Sequence, residues 1–305
     1  MTKLEWCRKH APESLKDMSD EELLEMMESS YKRFCNTEVR EDAPTFESVE
    51  YNPINTDMDY MVLELVREFG DKLAFKGGYM LTKLIPDTAR QTADIDFSIQ
   101  SSELYQALIH SMERLGKRFV SEGKVSTYRV KADISKTKSG GMDMYDSSGS
   151  KVLGIDVGWH DITFGTTTTS IDVCTLRAFE VERMLADKIT AILSAKRFRR
   201  PKDLYDLYCI TNCLDFDAEV VNKYILLRTN GVGAEWDNFP FDEDTVIKYS
   251  ETYNNLVIRS IRKDVELERP AFKDVFARFN VICRRLLNVD GLNKWDSRRE
   301  CFVRK

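Results

Sequence analysis

The stretch Thr92-Ala93-Asp94-Ile95-Asp96-Phe97-Ser98-Ile99 indicates the fold of this chain more clearly than any other. Its polar and apolar residues alternate, and a period of two predicts a half-buried β-strand over Asp94–Ile99. Asp94 and Asp96 then share one face of the strand, with Cα atoms about 7 Å apart. An Asp-x-Asp pair alone also fits the wet face of an amphipathic strand. Aspartate is nevertheless uncommon in strands, so the pair is a candidate site.

A glycine pair precedes this strand, in Phe75-Lys76-Gly77-Gly78-Tyr79. Leu73–Lys76 is strand-like and Tyr79–Leu84 has helical character, so the glycines are predicted to form a tight turn between them. Backbone N–H groups and the helix dipole at such a helix start favour phosphate, and glycine lets the backbone approach a ligand closely. A simple turn with positive φ is the alternative. The candidate nucleotide-binding residues here are Lys76, Gly77 and Gly78.

A second predicted strand, Lys151–Trp159, carries one further carboxylate. Its apolar residues share one face, and Asp156 lies on the other face between Gly154 and Gly158. The two small residues are expected to leave space for a substrate or an ion. With the two aspartates of the first strand, Asp156 predicts a hard-oxygen site suited to Mg²⁺ or Mn²⁺, as phosphoryl transfer requires.

Further candidates lie on two predicted helices. Lys188 falls within the apolar stripe of the helix Glu180–Lys196, where its ammonium needs a partner. Phosphate binding and snorkelling to an edge both explain it. Pro201 interrupts this helix, and Asp203 and Asp206 share a face of the next one. Asp203 has a local explanation as a helix cap or first-turn anion, whereas Asp206 has none.

A basic run joins the two helices and consists of Lys196, Arg197, Arg199, Arg200 and Lys202. Such a run is usually a solvated face, but beside a phosphate site it is also a candidate contact for an RNA backbone. The whole chain has 45 Lys and Arg against 51 Asp and Glu, a net charge of −6, so its overall charge does not favour nucleic acid. An RNA partner would therefore need this local patch.

Composition excludes several classes of protein. The chain is 42% hydrophobic and 31% charged, a globular balance that argues against disorder. No apolar run approaches the ~18–20 residues of a membrane span, and the N-terminal residues lack a secretory segment. Seven scattered cysteines and three histidines fit neither a disulfide framework nor a zinc site. We therefore expect a soluble, cytoplasmic protein.

The patterns along the chain predict three regions in a mixed α/β protein of the α+β class. Residues 1–57 are predicted to be an N-terminal helical cap, with Ser19 and Glu22 in a capping-box pattern. Residues 58–175 are predicted to form the core, in which a turn region at 139–150 joins two strands. Residues 176–305 are predicted to be mostly helical.

The motifs and their order resemble those of the AbiEii/AbiGii toxin nucleotidyltransferases. Phe75–Leu81 followed by Thr92–Phe97 is similar to the first motif of that family, and Ala186–Ala191 and Pro201–Leu207 are similar to later ones. The resemblance covers roughly residues 70–210. It implies a DNA-polymerase-β-like nucleotidyltransferase fold, followed by a helical domain that completes the active site.

The resemblance also implies roles for the candidates. Metal binding is implied for Asp94 and Asp96, and triphosphate contact for Gly77 and Gly78. Lys188 corresponds to the essential lysine of the family and Asp206 to its late acidic residue, and both are candidate catalytic residues. Asp156 as the third metal ligand rests on strand geometry, and Asp203 is a candidate nucleotide contact. Members of this family are toxins of toxin–antitoxin or phage-defence systems that use an NTP, and some modify tRNA. The expected cofactor is Mg²⁺ or Mn²⁺, the expected substrate is GTP, CTP or UTP, and the expected partners are tRNA and a cognate antitoxin.

Two other functions fit the same residues. The chain could transfer a nucleotide to a protein or a small molecule, which its acidic net charge favours. It could also bind a nucleotide as a non-catalytic regulator. The presence of Asp94, Asp96 and Lys188 argues against this last reading.

Overall fold

The computed structural model describes residues 53–131, 139–194, 200–228, 236–260, 270–288 and 293–304, together with Leu4, Arg8, residues 19–21 and Leu24. The chain divides into two compact units, Met1–Asn52 and Pro53–Lys305. In the first unit Arg8 and Asp20 are helical, and Arg8 Nε donates a hydrogen bond to Asp20 at 3.1 Å. Glu22 of the predicted capping box lies outside the described residues. The predicted region boundaries stay predictions.

A seven-stranded mixed sheet forms the centre of the second unit. Its strands in spatial order are β3 (Thr127–Lys131), β4 (Ser139–Tyr145), β5 (Lys151–Trp159), β2 (Asp94–Ile99), β1 (Ala74–Lys76), β7 (Thr175–Phe179) and β6 (Thr166–Ser170). β2 runs parallel to β5 and β1 runs parallel to β7, whereas the other neighbours are antiparallel. This mixed architecture agrees with the predicted α+β class.

Helices flank the sheet and follow it in the chain. They are α1 (Pro53–Phe69), α2 (Gly77–Leu84), α3 (Ser102–Ser121), α4 (Val181–Leu193), α5 (Pro201–Cys213), α6 (Ala218–Arg228), α7 (Glu243–Ser260) and α8 (Phe272–Leu287). Short 3₁₀ helices span Gly70–Lys72 and Trp236–Asn238. α4 packs against α5 and α6, and α5 also packs against α7 and α8. Among the described helices, none is long and apolar enough to cross a membrane.

One face of the sheet is apolar and packs against helix α3. Ile95 and Phe97 of β2 and Ile155 of β5 are buried on this face, because alternate residues of a strand point to the same side. Tyr105 of α3 packs on Trp159 of β5, with ring centroids 5.1 Å apart. The opposite face therefore carries the polar residues that alternate with these, including the predicted aspartates.

The predicted elements near the site agree with the structure, with differences at their ends. β2 and β5 have the predicted bounds. α1 begins at Pro53, since proline is well suited to the first turn of a helix. α3 continues to Ser121. Tertiary packing, here Phe119 in the core, extends that helix.

Strand β4 lies where a turn region was predicted, and this prediction was wrong for residues 139–145. The glycines of this stretch suggested a turn, but the structure uses them for close packing. A Cβ at Gly140 would collide with the ring and hydroxyl of Tyr105, and a Cβ at Gly141 would collide with the carbonyl oxygen of Ile155. Gly141 also has a φ of 143°, which other residues rarely adopt. The turn is confined to residues 146–150.

A small second sheet was not predicted in the C-terminal region. Its antiparallel strands are β8 (Phe216–Asp217), β9 (Asn293–Asp296) and β10 (Cys301–Arg304), with β9 in the middle. Strands this short show no recognisable alternation in the sequence, and β8 pairs with a strand far away in the chain. The described part of this region is mostly helical, as expected, and the small sheet is an addition to it.

Trp295 of β9 joins the small sheet to the helices. It is fully buried, and its ring centroid lies 5.8 Å from that of Phe216 and 5.0 Å from that of Phe302. Its indole Nε1 donates a hydrogen bond to the carbonyl oxygen of Thr211 in α5 at 2.7 Å. The side chain therefore combines a large apolar contact with a satisfied polar group.

We expect Trp295→Ala to lower the free energy of unfolding by about 3–5 kcal/mol, because it leaves a large cavity in the core. Urea denaturation followed by circular dichroism measures this loss. Ile247→Ala removes an exposed side chain of α7 and should change the same free energy by no more than about 0.5 kcal/mol. Equal effects of the two changes would contradict the role given to Trp295.

Candidate active site

The parallel pairing of β2 with β5 sets the predicted carboxylates side by side. In this register Asp96 lies opposite Asp156, and Asp94 lies opposite Gly154. Residues opposite each other on neighbouring strands share a face of the sheet at a spacing of about 4.8 Å. On the other side of β2, Lys76 of β1 lies opposite Asp96. The structure thus places the three predicted metal ligands and Lys76 on one face.

The aspartates on this face repel one another. Burial raises the pKa of Asp96 to about 6, and the negative charges of Asp156 and Asp94 contribute to the rise, while Lys76 and Lys188 oppose it. A carboxyl whose ionised form is disfavoured in this way gains from a nearby cation. The face therefore has the electrostatic character of a cation site.

A fourth carboxylate, Asp143 of β4, lies on the same face and was not predicted. Lys151 Nζ is 2.7 Å from Asp94 Oδ1 and 2.7 Å from Asp143 Oδ1. Lys131 Nζ is 3.5 Å from Asp143 Oδ2 and 3.5 Å from Asp156 Oδ1. The prediction of a turn concealed Asp143, although buried methionines on either side of it give the alternation of a strand.

The donor atoms on this face fit a hard divalent cation, since carboxylate oxygens are the ligands that Mg²⁺ and Mn²⁺ prefer. In the part of the chain that the structure describes, however, no three His, Cys, Asp or Glu side chains are grouped as they would be around a metal ion. Ammonium groups separate the carboxylates, as Lys151 lies between Asp94 and Asp143. Grouping the three predicted ligands around an ion therefore requires these side chains to move.

Side chains fill the places beside Gly154 and Gly158, where open space was expected. A Cβ at Gly154 would lie 2.5 Å from Asp94 Oδ1 and 2.7 Å from Lys151 Nζ. A Cβ at Gly158 would lie 2.9 Å from Nδ1 of His160, another residue that was not predicted. The two glycines thus allow Lys151 and His160 to lie across the sheet.

The open space on this face adjoins Asp96 and Asp156. A cavity of about 220 Å³ is lined by Lys76, Asp96, Lys131, Ser139, Gly140, Asp156, Val157 and Gly158. Its charged groups are two lysines and two aspartates, so the cavity suits a polar, charged ligand.

The glycine pair begins helix α2 and is not a separate turn. Gly77 has a φ of 72° and lies so close to Asp96 that a Cβ would collide with its carboxylate. A Cβ at Gly78 would lie 3.0 Å from Thr92 Oγ1 and 3.5 Å from Arg90 Nη2. The close approach of the helix start to the carboxylate strand therefore requires glycine. Contact of these residues with phosphate stays a prediction.

Lys188 of α4 is buried and has carboxylate partners. Only 7% of its surface is exposed, so it does not snorkel. Its Nζ is 2.6 Å from Asp206 Oδ2 and 3.4 Å from Asp203 Oδ1. Arg90, which was not predicted, binds the same carboxylate, with Nε 2.9 Å from Asp206 Oδ1 and Nη2 3.2 Å from Asp206 Oδ2. An arginine in the loop directly before the carboxylate strand was the available signal.

Asp203, Asp206, Arg90 and Lys188 form one charged group, in which two cations offset two carboxylates around Asp206. Burial raises the pKa of Asp206, but the positive charges of Arg90 and Lys188 outweigh that effect and hold the pKa below its ordinary value. Because Gly78 lies next to Arg90, the group lies close to the start of α2. The structure thus brings Lys188, Asp203 and Asp206 together near the glycine pair.

Asp203 is not the N-cap of α5, because Arg200 occupies that position without a side-chain cap. It is a first-turn anion, as the second alternative held. Arg200 and Lys202 are exposed, and Arg200 Nη1 lies 3.9 Å from Asp203 Oδ2. The other residues of the predicted basic run lie outside the described residues, namely Lys196, Arg197 and Arg199.

The family described as "Nucleotidyl transferase AbiEii toxin, Type IV TA system" matches residues 64–278. The chain belongs to this family. The match spans the sheet, the glycine pair and the group around Asp206, and it confirms the family that the motifs predicted. This AbiEii-family protein is therefore a nucleotidyltransferase of a toxin family, and its activity is that of a transferase. No curated protein matches its sequence.

Several solved structures are similar to this AbiEii-family protein. MenT4, a nucleotidyltransferase toxin from Mycobacterium tuberculosis, is 17% identical over 81% of this chain and 86% of that chain, with a TM-score of 0.54. JHP933 from Helicobacter pylori is 13% identical over 76% of this chain and 90% of that chain, with a TM-score of 0.45. The antibiotic-resistance factor ANT(2'')-Ia is 15% identical over 58% of this chain and 94% of that chain, with a TM-score of 0.41. The likeness to MenT4 confirms the predicted fold.

We expect Asp96→Asn to raise the melting temperature of this AbiEii-family protein at about pH 8 in the presence of a chelator, because it removes a partly buried charge that its neighbours repel. The pKa of Asp96 in the folded chain, about 6, lies above its ordinary value of 3.8. Ionised Asp96 therefore lowers stability above pH 6, and the loss shrinks as the pH falls towards 4. Thermal denaturation at about pH 8 and about pH 4.5 compares the two conditions.

Asp71→Asn, a change at an exposed acid of the first 3₁₀ helix, is the control and should leave the melting temperature unchanged at both pH values. A gain for Asp96→Asn that is equally large at both pH values would contradict the raised pKa.

We expect Arg90→Met to lower the free energy of unfolding by about 3–5 kcal/mol, because it deprives the buried Asp206 carboxylate of one of its two cationic partners. Urea denaturation measures the change. Arg114→Met breaks an exposed ion pair with Glu68 and should cost less than about 1 kcal/mol. Similar losses of free energy for the two variants would contradict the stabilising role given to the contact between Arg90 and Asp206.

Proposed function

We propose that this chain transfers a nucleotide from an NTP to an acceptor hydroxyl, in a reaction that depends on Mg²⁺ or Mn²⁺ held by Asp94, Asp96 and Asp156. The observation that carries the proposal is the alignment of Asp96 with Asp156, directly beside the glycine start of α2. When bound there, the metal would neutralise the clustered carboxylates and polarise the triphosphate.

The transfer is a displacement at the α-phosphorus of the NTP. The acceptor oxygen forms a new bond to this phosphorus. The bond from the α-phosphorus to the oxygen that bridges the α- and β-phosphates breaks, and pyrophosphate leaves. Asp156 lines the cavity and takes the proton of the attacking hydroxyl. Lys76, Gly77 and Gly78 bind the triphosphate, because the start of α2 offers backbone N–H groups and Lys76 offers a positive charge.

The helical residues complete the nucleotide site in this proposal. Lys188 contributes its ammonium to the triphosphate. Asp206, which Arg90 also binds, holds this ammonium in position. Asp203, which also contacts Lys188, is the proposed nucleotide contact on α5. Asp206 thus acts through Lys188.

We further propose that the acceptor is tRNA and that the chain is the cytoplasmic toxin partner of a cognate antitoxin, as membership of a type IV toxin–antitoxin family suggests. The exposed Arg200 and Lys202 at the start of α5, with Lys196, Arg197 and Arg199 beside them in the sequence, supply the positive patch that an RNA backbone needs. The net charge of −6 favours a protein acceptor instead, and this is the second candidate function.

The test is incubation of the purified chain with each α-³²P-labelled NTP in turn, Mg²⁺ or Mn²⁺, and either total tRNA or a protein extract. We expect label from GTP, CTP or UTP to enter tRNA, and EDTA to prevent it. Asp94→Asn should reduce labelling by about 100-fold or more, since a lost metal ligand leaves the developing charge unneutralised.

Asp71→Asn is the matched control and should label as the wild type does. Label from a γ-³²P NTP would identify phosphoryl transfer and overturn the proposed reaction. Label in protein bands alone would decide for the second candidate, and unchanged labelling by Asp94→Asn would overturn the metal site.

A further inference from the structure

We infer that Lys151 is an internal cation that neutralises Asp94 in the metal-free chain and is displaced by the divalent ion, with Asp143 retaining the displaced ammonium. This inference rests on the proposed function, since it takes Asp94 as a metal ligand. It assigns a positioning role to two residues, Lys151 and Asp143, that neither the motifs nor the family match singles out.

The geometry places the Lys151 ammonium at the same distance from two carboxylates. Its Nζ is 2.7 Å from an oxygen of Asp94 and 2.7 Å from an oxygen of Asp143. Asp94 belongs to the predicted metal site, and Asp143 does not. Lys151 can therefore release one carboxylate and keep the other without leaving its charge unpaired.

Three adjacent strands are built to allow this arrangement. Asp94 on β2 and Asp143 on β4 both lie opposite Gly154 on the intervening strand β5. The missing side chain at Gly154 leaves the room through which Lys151 crosses, because a Cβ there would lie 2.7 Å from both Cε and Nζ of Lys151. Lys151, which belongs to β5 as Gly154 does, thus fills the gap between the two carboxylates.

Solvent exposure indicates which of the two contacts is exchanged. The side chain of Asp94 is 38% exposed and that of Asp143 is 15% exposed. Asp94 is the less enclosed of the two carboxylates, so it is the one that a divalent ion from solvent reaches. Asp143 is more enclosed and keeps its lysine.

The experiment is a titration of the metal-free, full-length chain with Mn²⁺, followed by electron paramagnetic resonance without nucleotide. We expect Lys151→Met to bind Mn²⁺ about tenfold more tightly than the wild type, because the ion no longer competes with an ammonium group. Arg129→Met is the matched control. Arg129 is exposed and lies opposite Asp143 on the same face, so its removal should change the affinity by less than about twofold.

Asp143→Asn tests the second half of the inference. In the wild-type background it should weaken Mn²⁺ binding several-fold, because Lys151 then has Asp94 alone. In the Lys151→Met background the same change should have little effect. Such coupling shows that Asp143 acts through Lys151. Lys151→Gln, which also removes the charge, replaces Lys151→Met if that variant does not fold.

The outcomes separate this inference from the proposed function. Equal affinities for Lys151→Met, Arg129→Met and the wild type would overturn the inference alone, provided that the wild type binds Mn²⁺ and transfers a nucleotide. Binding by Lys151→Met but not by the wild type would support it strongly. Absence of Mn²⁺ binding in every variant would overturn both the inference and the proposed metal site.

Discussion

The in-register pairing of β2 with β5 is the constraint on which the candidate site depends, because it fixes Asp96 next to Asp156. At the spacing of paired strands two negative charges that are partly removed from water repel each other, and burial together with this neighbour raises the pKa of Asp96 to about 6. Three strands of the same sheet place ammonium groups beside these carboxylates and offset their negative charge. The lysines are Lys76, Lys131 and Lys151. Glycine is then needed wherever these side chains or the start of α2 cross the carboxylate face.

A second constraint joins the helical half of the unit to the sheet half. Asp206 is almost fully buried, and a buried carboxylate without partners is strongly destabilising. Its partners come from different segments, with Arg90 in the loop before β2 and Lys188 on α4. The requirement to neutralise one carboxylate therefore holds α4, α5 and the loop together. Gly78 at the start of α2 lies beside Arg90. The interaction around Asp206 therefore also fixes α4, α5 and the loop relative to the start of α2.

The sequence predicted the parts of this site whose signals are local. Strand β2 was predicted with its observed bounds because its alternation is complete within a few residues. Asp143 was not predicted, since the glycines of β4 look like a turn unless the side chains that pack against them are known. Arg90 lies in a loop, and only the tertiary structure shows that it faces Asp206. The pairing of β8 with β9 likewise depends on a contact between distant residues, which no periodic pattern encodes.

Lys188 and Lys151 make the same kind of interaction, since each ammonium contacts two aspartates, yet their surroundings give them different properties. The Lys188 side chain is 8% exposed and that of its closest partner, Asp206, is 2% exposed, so neither can be separated without leaving a buried charge. The Lys151 side chain is 35% exposed, and water can solvate both Lys151 and Asp94 when they part. Burial thus makes the first contact a fixed part of the fold. The greater exposure of the Lys151 contact leaves the Asp94 carboxylate available to an ion from solvent, and a metal ligand has to be available in this way.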